Sequence, residues 1–137
     1  MKLISPDQLI ELLPAEPGDI ATAQARLDSS VVFRNQDRMR EAVAEGWVHG
    51  EIITINGQKA YFVCWNKTFD GGLWLNVAQT LGTHANSPEL FHGCEMLAHR
   101  ERCSYVRFTT SRRALVRVAQ SYGYKPDAVL MTKEIYG

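Results

Sequence analysis

A seven-residue turn, Gln79-Thr80-Leu81-Gly82-Thr83-His84-Ala85, joins a strand ending at Ala78 to an amphipathic helix that begins near Pro88. A strand that feeds a glycine-containing turn onto a helix start suits an anion, because free backbone N–H groups and the positive end of the helix dipole converge there. His84 is the one histidine in this turn. It has the chemistry to hydrogen-bond a phosphate or to take a proton from an amine near neutral pH. Six arginines follow, at positions 100, 102, 107, 112, 113 and 117. Such a cluster suits a phosphorylated ligand, a nucleic acid or an acidic protein, and it equally suits the solvated faces of a helix and a strand. No metal site is expected. His92 and Cys94 are two apart on a helix and diverge, and His99 stands two turns from His92. Cys94 falls on the apolar stripe and reads as core.

The elements that must position these groups fit into one domain of 137 residues, with 45% apolar and 22% charged content. No apolar run is long enough to span a bilayer, and the start turns polar at once, unlike a secretory signal. Three cysteines without metal-type spacing point to a reducing, cytoplasmic setting. The net charge of zero hides an asymmetry. Residues 1–51 hold five basic and nine acidic side chains (5 − 9 = −4), and residues 52–137 hold ten and six (10 − 6 = +4).

Ser5-Pro6-Asp7-Gln8 reads as a helix start, followed by Leu9, Ile10, Leu12 and Leu13 and stopped by Pro14 and Pro17. Further helices are expected over 19–27 and 36–45, the latter closed by Gly46. The runs 50–55, 60–65 and 73–78 are β-rich, with Asn56-Gly57 and Asp70-Gly71-Gly72 as turns between them. They make a three-strand antiparallel meander. Leu90, Phe91, Cys94, Leu97 and Ala98 form a helical stripe, residues 105–110 a strand, and Ala114, Leu115, Val118, Ala119 and Tyr122 another helix ending at Gly123. A final strand is expected over 128–135. The class is α+β, with a mixed and mainly antiparallel sheet flanked by helices.

This order of elements resembles the GCN5-related N-acetyltransferase family over roughly residues 30–136. The best local matches are Gln79-Thr80-Leu81-Gly82-Thr83-His84 and Tyr122-Gly123-Tyr124. The resemblance implies a fold that grips acyl-coenzyme A, with Gln79, Gly82, Thr83, His84 and Ala85 cradling the pyrophosphate. The family loop reads Gln/Arg-x-x-Gly-x-Gly/Ala, so His84 stands where a small residue is usual and Ala85 follows one step late. Counting back from Gly123, the family's coenzyme-binding Asn and its general-acid Tyr fall on Arg112 and Ala119. Alanine has no proton to donate, so Tyr122, Tyr124 or a water would replace it. The third strand of the meander offers no carboxylate as base. Glu51 on the first strand is the nearest, and is expected to be an exposed charge at a strand edge.

Two functions follow from the resemblance. The first is a cytoplasmic protein that binds acetyl-coenzyme A, pairs Arg112 and Arg113 with its phosphates, and acetylates an amine. The second is a non-catalytic relative, such as a phage virion component or an inhibitor, that binds a protein partner or self-associates as a homodimer. Nucleic-acid binding is weaker, since the charge balances and Trp47, Trp65 and Trp74 sit at element ends or on strands, not interleaved with basic residues.

Overall fold

The computed structural model describes residues 8–28, 39–81, 88–110, 112–127, 131 and 133–135. Its elements run β1 (Ile10–Pro14), α1 (Pro17–Asp28), α2 (Met39–Ala44), β2 (His49–Ile55), β3 (Gln58–Lys67), β4 (Leu73–Thr80), α3 (Pro88–Arg100), β5 (Val106–Phe108) and α4 (Arg113–Ser121). The five strands lie in sequence order, antiparallel from β1 to β4, and β5 joins β4 in parallel through α3.

The meander forms as its turn chemistry requires. Asn56 and Gly57 both take positive φ, 52° and 82°, the primed two-residue turn that joins Ile55 to Gln58. Gly71, also at positive φ, turns the chain from β3 into β4. Its neighbour Gly72 must be glycine for a different reason: a Cβ there would run into the Tyr105 ring. Thr68, Asp70 and Tyr105 close this corner through a shared set of hydroxyl–carboxylate hydrogen bonds.

Two expectations change at the start of the chain. The helix expected through Leu13 is instead strand β1, whose Ile10–Pro14 pairs with Ile55–Glu51. A short apolar run fits either period, and the decision here is tertiary: Ile10 and Leu12 drop onto the core while Glu11 and Leu13 stay outside. Pro14 is tolerated because β1 is an edge strand. Pro17 opens α1 as its first residue, rather than ending a helix before it, and Asp19 Oδ2 accepts from the Glu16 N–H at 3.0 Å as half of a capping box. Ser5, Pro6 and Asp7 and the 36–38 segment lie outside the described residues, as do 128–130 and 132 of the expected last strand. Met131 and Lys133–Ile135 are not in a strand.

The sheet has a core on each face. Ile53, Tyr61, Val63, Leu73 and Leu75 point to α3, meeting Leu90, Cys94 and Leu97. Ile52, Phe62 and Cys64 point to α1, meeting Ala23 and Ile20. Burial pushes the Cys64 and Cys94 thiols up to about 12, while Cys103 is half-buried. Native protein at pH 8 is therefore expected to give fast reaction with a thiol reagent at Cys103 alone, and Cys64 and Cys94 react only on unfolding. Rapid labelling of Cys94 in the folded protein would contradict this packing.

Candidate functional site

β4 and β5 pair over only three positions, Leu73 with Val106, Trp74 with Arg107 and Leu75 with Phe108. Beyond Leu75 the β5 ladder ends, Asn76 sits at a register shift, and Val77–Thr80 stay paired to β3 alone. Ala78 shows the consequence. Its cross-strand neighbour Val63 is fully buried beneath α3, yet Ala78 on the same face is exposed. Past Leu75 the backbone of β4 has no ladder partner on its β5 side. An extended ligand with amide groups can pair with such an edge, as an added strand would. The α3 helix starts at Pro88, past the end of β4.

Of the loop residues expected to cradle the pyrophosphate, Gly82, Thr83, His84 and Ala85 lie outside the described residues. Gln79 is described. Its Nε2 donates to the Ala23 carbonyl at 3.2 Å, tying β4 to α1, and its Oε1 is buried without a partner among the described residues. Beside it the Arg26 guanidinium donates to the Thr80 carbonyl at 2.7 Å, a cation at the β4 end that sequence reasoning missed. Arg112 and Arg113 stand at the start of α4 and are exposed. No carboxylate pairs with either among the described residues. They are about 15 Å along the helix axis from Tyr122 at its other end.

Tyr122 and Tyr124 share an aromatic cluster with the last residue of β5. Tyr122 stacks on Phe91 with ring centroids 4.7 Å apart, and Tyr124 lies 5.3 Å from Phe108 and 5.6 Å from Phe91. Burial pushes the Tyr124 phenol well above its ordinary value, so it keeps its proton. Ala119 is buried in α4.

Glu51 departs most from expectation. It is only 4% exposed and sits on an inner strand between β1 and β3. Its register neighbours are Val63 and then Ala78, which places it two strand spacings, about 9.6 Å, from β4. Glu51 shares the α3 face with Ile53, and there Arg100 at the C-terminal end of α3 donates Nη2 to Oε1 at 2.6 Å. Arg100 also donates Nε to Glu101 at 2.9 Å and lies over the Trp65 ring at 5.9 Å. A single charge directly before the apolar run 52–55 is the available signal that Glu51 needs an internal partner. Nothing in the sequence named Arg100 or Trp65. Trp47 is exposed, whereas Trp65 is buried.

Among the described residues no cluster of His, Cys, Asp or Glu could hold a metal ion, and no helix is long and apolar enough to cross a membrane.

Compared by sequence, the chain matches no protein-family model and no curated protein. Compared by structure, it resembles several solved proteins across nearly all of its length. One is the predicted acetyltransferase of Clostridium acetobutylicum with acetyl-coenzyme A: TM-score 0.61, 11% identity, 93% of this chain and 97% of that one. Another is the aminoglycoside N-acetyltransferase AAC(6')-Iy in complex with coenzyme A: TM-score 0.62, 10% identity, 98% of this chain and 100% of that one. A third is described as a transcriptional regulator from Bacillus halodurans: TM-score 0.62, 13% identity, 93% of this chain and 100% of that one. Identities this low speak for architecture and not for activity, and the architecture is that of the GCN5-related N-acetyltransferases.

Proposed function

We propose that this chain binds acetyl-coenzyme A between β4 and β5 and transfers its acetyl group to an amine. The observation that carries the reading is the parting of β4 from β5 after Leu75, which leaves Ala78 exposed above a one-sided strand backbone. Coenzyme-bound neighbours of the same fold support it. Acetyl-coenzyme A supplies a thioester whose carbonyl an amine attacks directly. The chain supplies position. Backbone groups of Val77–Thr80 align the pantetheine arm, the residues that follow β4 take the pyrophosphate, and Arg112 and Arg113 meet remaining phosphates.

Proton transfer is the thinner part of the design. Glu51, occupied with Arg100 and two strands from β4, is poorly placed as a base there. His84 is assigned to the pyrophosphate, a pantetheine length from the thioester, so water is the acceptor of the amine's proton. Tyr124 holds its proton too tightly to surrender it readily. Tyr122, half-buried on the Phe91 ring, is the candidate donor to the departing thiolate.

A panel of primary amines with acetyl-coenzyme A, read by release of free thiol, tests the reading. Turnover is expected with at least one amine class. Tyr122→Phe, which preserves the ring stack, is expected to lower kcat by about 10²-fold at unchanged coenzyme affinity, the scale of a lost general acid. Coenzyme binding without turnover on any amine would favour the second reading, a protein of this fold acting through a protein partner. Buried Ala119, where the resemblance calls for tyrosine, is the observation on that side.

A further inference from the structure

Asn66, Trp74 and Asn76 meet on the sheet face opposite α3. Leu73 and Leu75 belong to the core beneath α3, so strand alternation turns Trp74 to the other face. Its β3 partner Asn66 follows Trp65, which also points to α3, and so shares the face of Trp74. There the α1 side of the core closes on Ile52, Phe62 and Cys64, and Trp74 joins neither core among the described residues. Trp74 is half-buried, and Asn76 beside it is exposed.

Asn76 is the extra residue of the β4 bulge, between Leu75, paired with Trp65, and Val77, paired with Cys64. A chain of hydrogen bonds orients its carboxamide. Asn66 Nδ2 donates to the Lys67 carbonyl at 3.1 Å, which leaves Asn66 Oδ1 to accept from Asn76 Nδ2 at 2.7 Å. A backbone carbonyl can only accept, so this order of donors is fixed chemically. Asn76 Oδ1 is then an acceptor with no hydrogen-bond partner among the described residues. The planar amide that turns Nδ2 toward β3 turns Oδ1 away from it.

With the coenzyme bound as proposed above, a reading on which this assignment rests, the arm runs back from the pyrophosphate along Val77–Thr80, about 13 Å of strand. The thioester then reaches Asn76, next to the last β4–β5 pair at Leu75. The strands around it offer no base for a cationic amine. β4 carries neither carboxylate nor histidine, and the ladder neighbours of Trp74 are Asn66 and Arg107. Arg107 lies over the Tyr105 ring at 4.7 Å and donates to Asp127 at 2.9 Å, so that carboxylate is engaged. An alkylamine of pKa about 10.4 is neutral in only about one molecule in 2,500 at pH 7. An arylamine is neutral there outright, because its ring delocalises the nitrogen lone pair.

We infer that the acetyl acceptor is a primary arylamine, its ring stacked on Trp74 and one N–H donated to Asn76 Oδ1. The nitrogen lone pair attacks the thioester carbon and forms the C–N bond. The C–S bond breaks, and the sulfur keeps the electron pair and takes a proton from Tyr122. The nitrogen gives its surplus proton to water, and Tyr122 regains one from solvent. The products are an N-aryl acetamide and the free thiol of coenzyme A. Asn76 is a positioning residue that aims the lone pair and carries no proton.

Aniline, benzylamine and methoxyamine separate these demands, read by thiol release from acetyl-coenzyme A at pH 7. Aniline has a ring and a neutral nitrogen, benzylamine a ring and a cationic nitrogen, and methoxyamine a neutral nitrogen without a ring. Aniline is expected to show a kcat/KM at least about tenfold above either. Asn76→Ala is expected to lower that value about 10²-fold, while Asn76→Asp, which keeps an oxygen acceptor, stays within about tenfold of wild type. Trp74→Leu is expected to raise the aniline KM about 2- to 12-fold. Each variant is expected to bind coenzyme A within about twofold of the wild type by calorimetry. Benzylamine or methoxyamine turned over as well as aniline, full activity in Asn76→Ala, or coenzyme affinity lost in step with activity would overturn the assignment. A wild type that acetylates alkylamines and not aniline would overturn the arylamine acceptor alone. One that binds coenzyme and acetylates no amine would overturn the acetyltransferase reading with it.

Discussion

Arg100→Ala is expected to lower the free energy of unfolding by about 2–3 kcal/mol, with the loss tracing to Glu51 rather than to the arginine itself. Removing one member of a buried ion pair costs about 3–5 kcal/mol, because the other charge is left without a partner. Here the Arg100 side chain is 41% exposed while that of Glu51 is 5% exposed. Solvent screens the arginine and trims the figure toward the lower end. Loss of the cation over Trp65 adds a fraction of a kcal/mol. The opposite change should be milder. Glu51→Met removes the buried carboxylate and fills similar volume, leaving the half-exposed Arg100 free to reach water and Glu101. Urea unfolding of both variants measures the contrast. Glu51→Met destabilising as much as Arg100→Ala would show that the pair itself, not the stranded charge, carries the energy.

Gly93→Leu is expected to be at least as damaging, about 3 kcal/mol, and to act by separating α3 from the sheet. A Cβ at Gly93 already lies 2.7 Å from Ile53 Cδ1 and 2.9 Å from its Cγ2. Ile53 is fully buried at the centre of β2, so it cannot swing aside into solvent. Overpacking a close-packed core costs about 1–3 kcal/mol, sometimes more, and a leucine adds three carbons beyond the Cβ that first collides. Helix propensity opposes the loss, since glycine inside a helix is worse than leucine by nearly 1 kcal/mol, but it is the smaller effect. Thermal unfolding measures the outcome. A variant as stable as the wild type would mean that α3 does not approach β2 this closely.

Much of the fold was legible because local chemistry and tertiary need agree. Asn56-Gly57 can hardly do other than turn, and the alternation of Ile52/Phe62/Cys64 against Ile53/Tyr61/Val63 assigns the two faces that the helices cover. The Leu90-to-Ala98 stripe gave α3 for the same reason. The failures fall where the chain's local pattern permits two structures. Leu9 to Leu13 suits a helix or a strand, and only the need of β2 for an edge partner decides it. Pro17 can end one helix or begin another, and Asp19 capping Glu16 selects the second.

The open edge of β4 was legible only as an order of elements. Where β4 and β5 part is set by pairing that ends after Phe108, which no residue announces. In the sequence Glu51 looks like an exposed edge charge, because its strand is the first β-rich run. Once β1 covers that edge, the same residue becomes an inner one and must find Arg100, forty-nine positions away. Long-range pairing of this kind leaves no periodic trace.

Calorimetric titration with acetyl-coenzyme A of the wild type and Ala78→Trp tests the central claim most directly. Ala78 is exposed on β4, so tryptophan there should leave the fold intact while filling the space where the pantetheine arm lies. Micromolar binding to the wild type, worth about −8 kcal/mol, and at least 100-fold weaker binding to the variant is the result this account predicts. No binding to the wild type at about 1 mM ligand, or equal binding to both proteins, would contradict it.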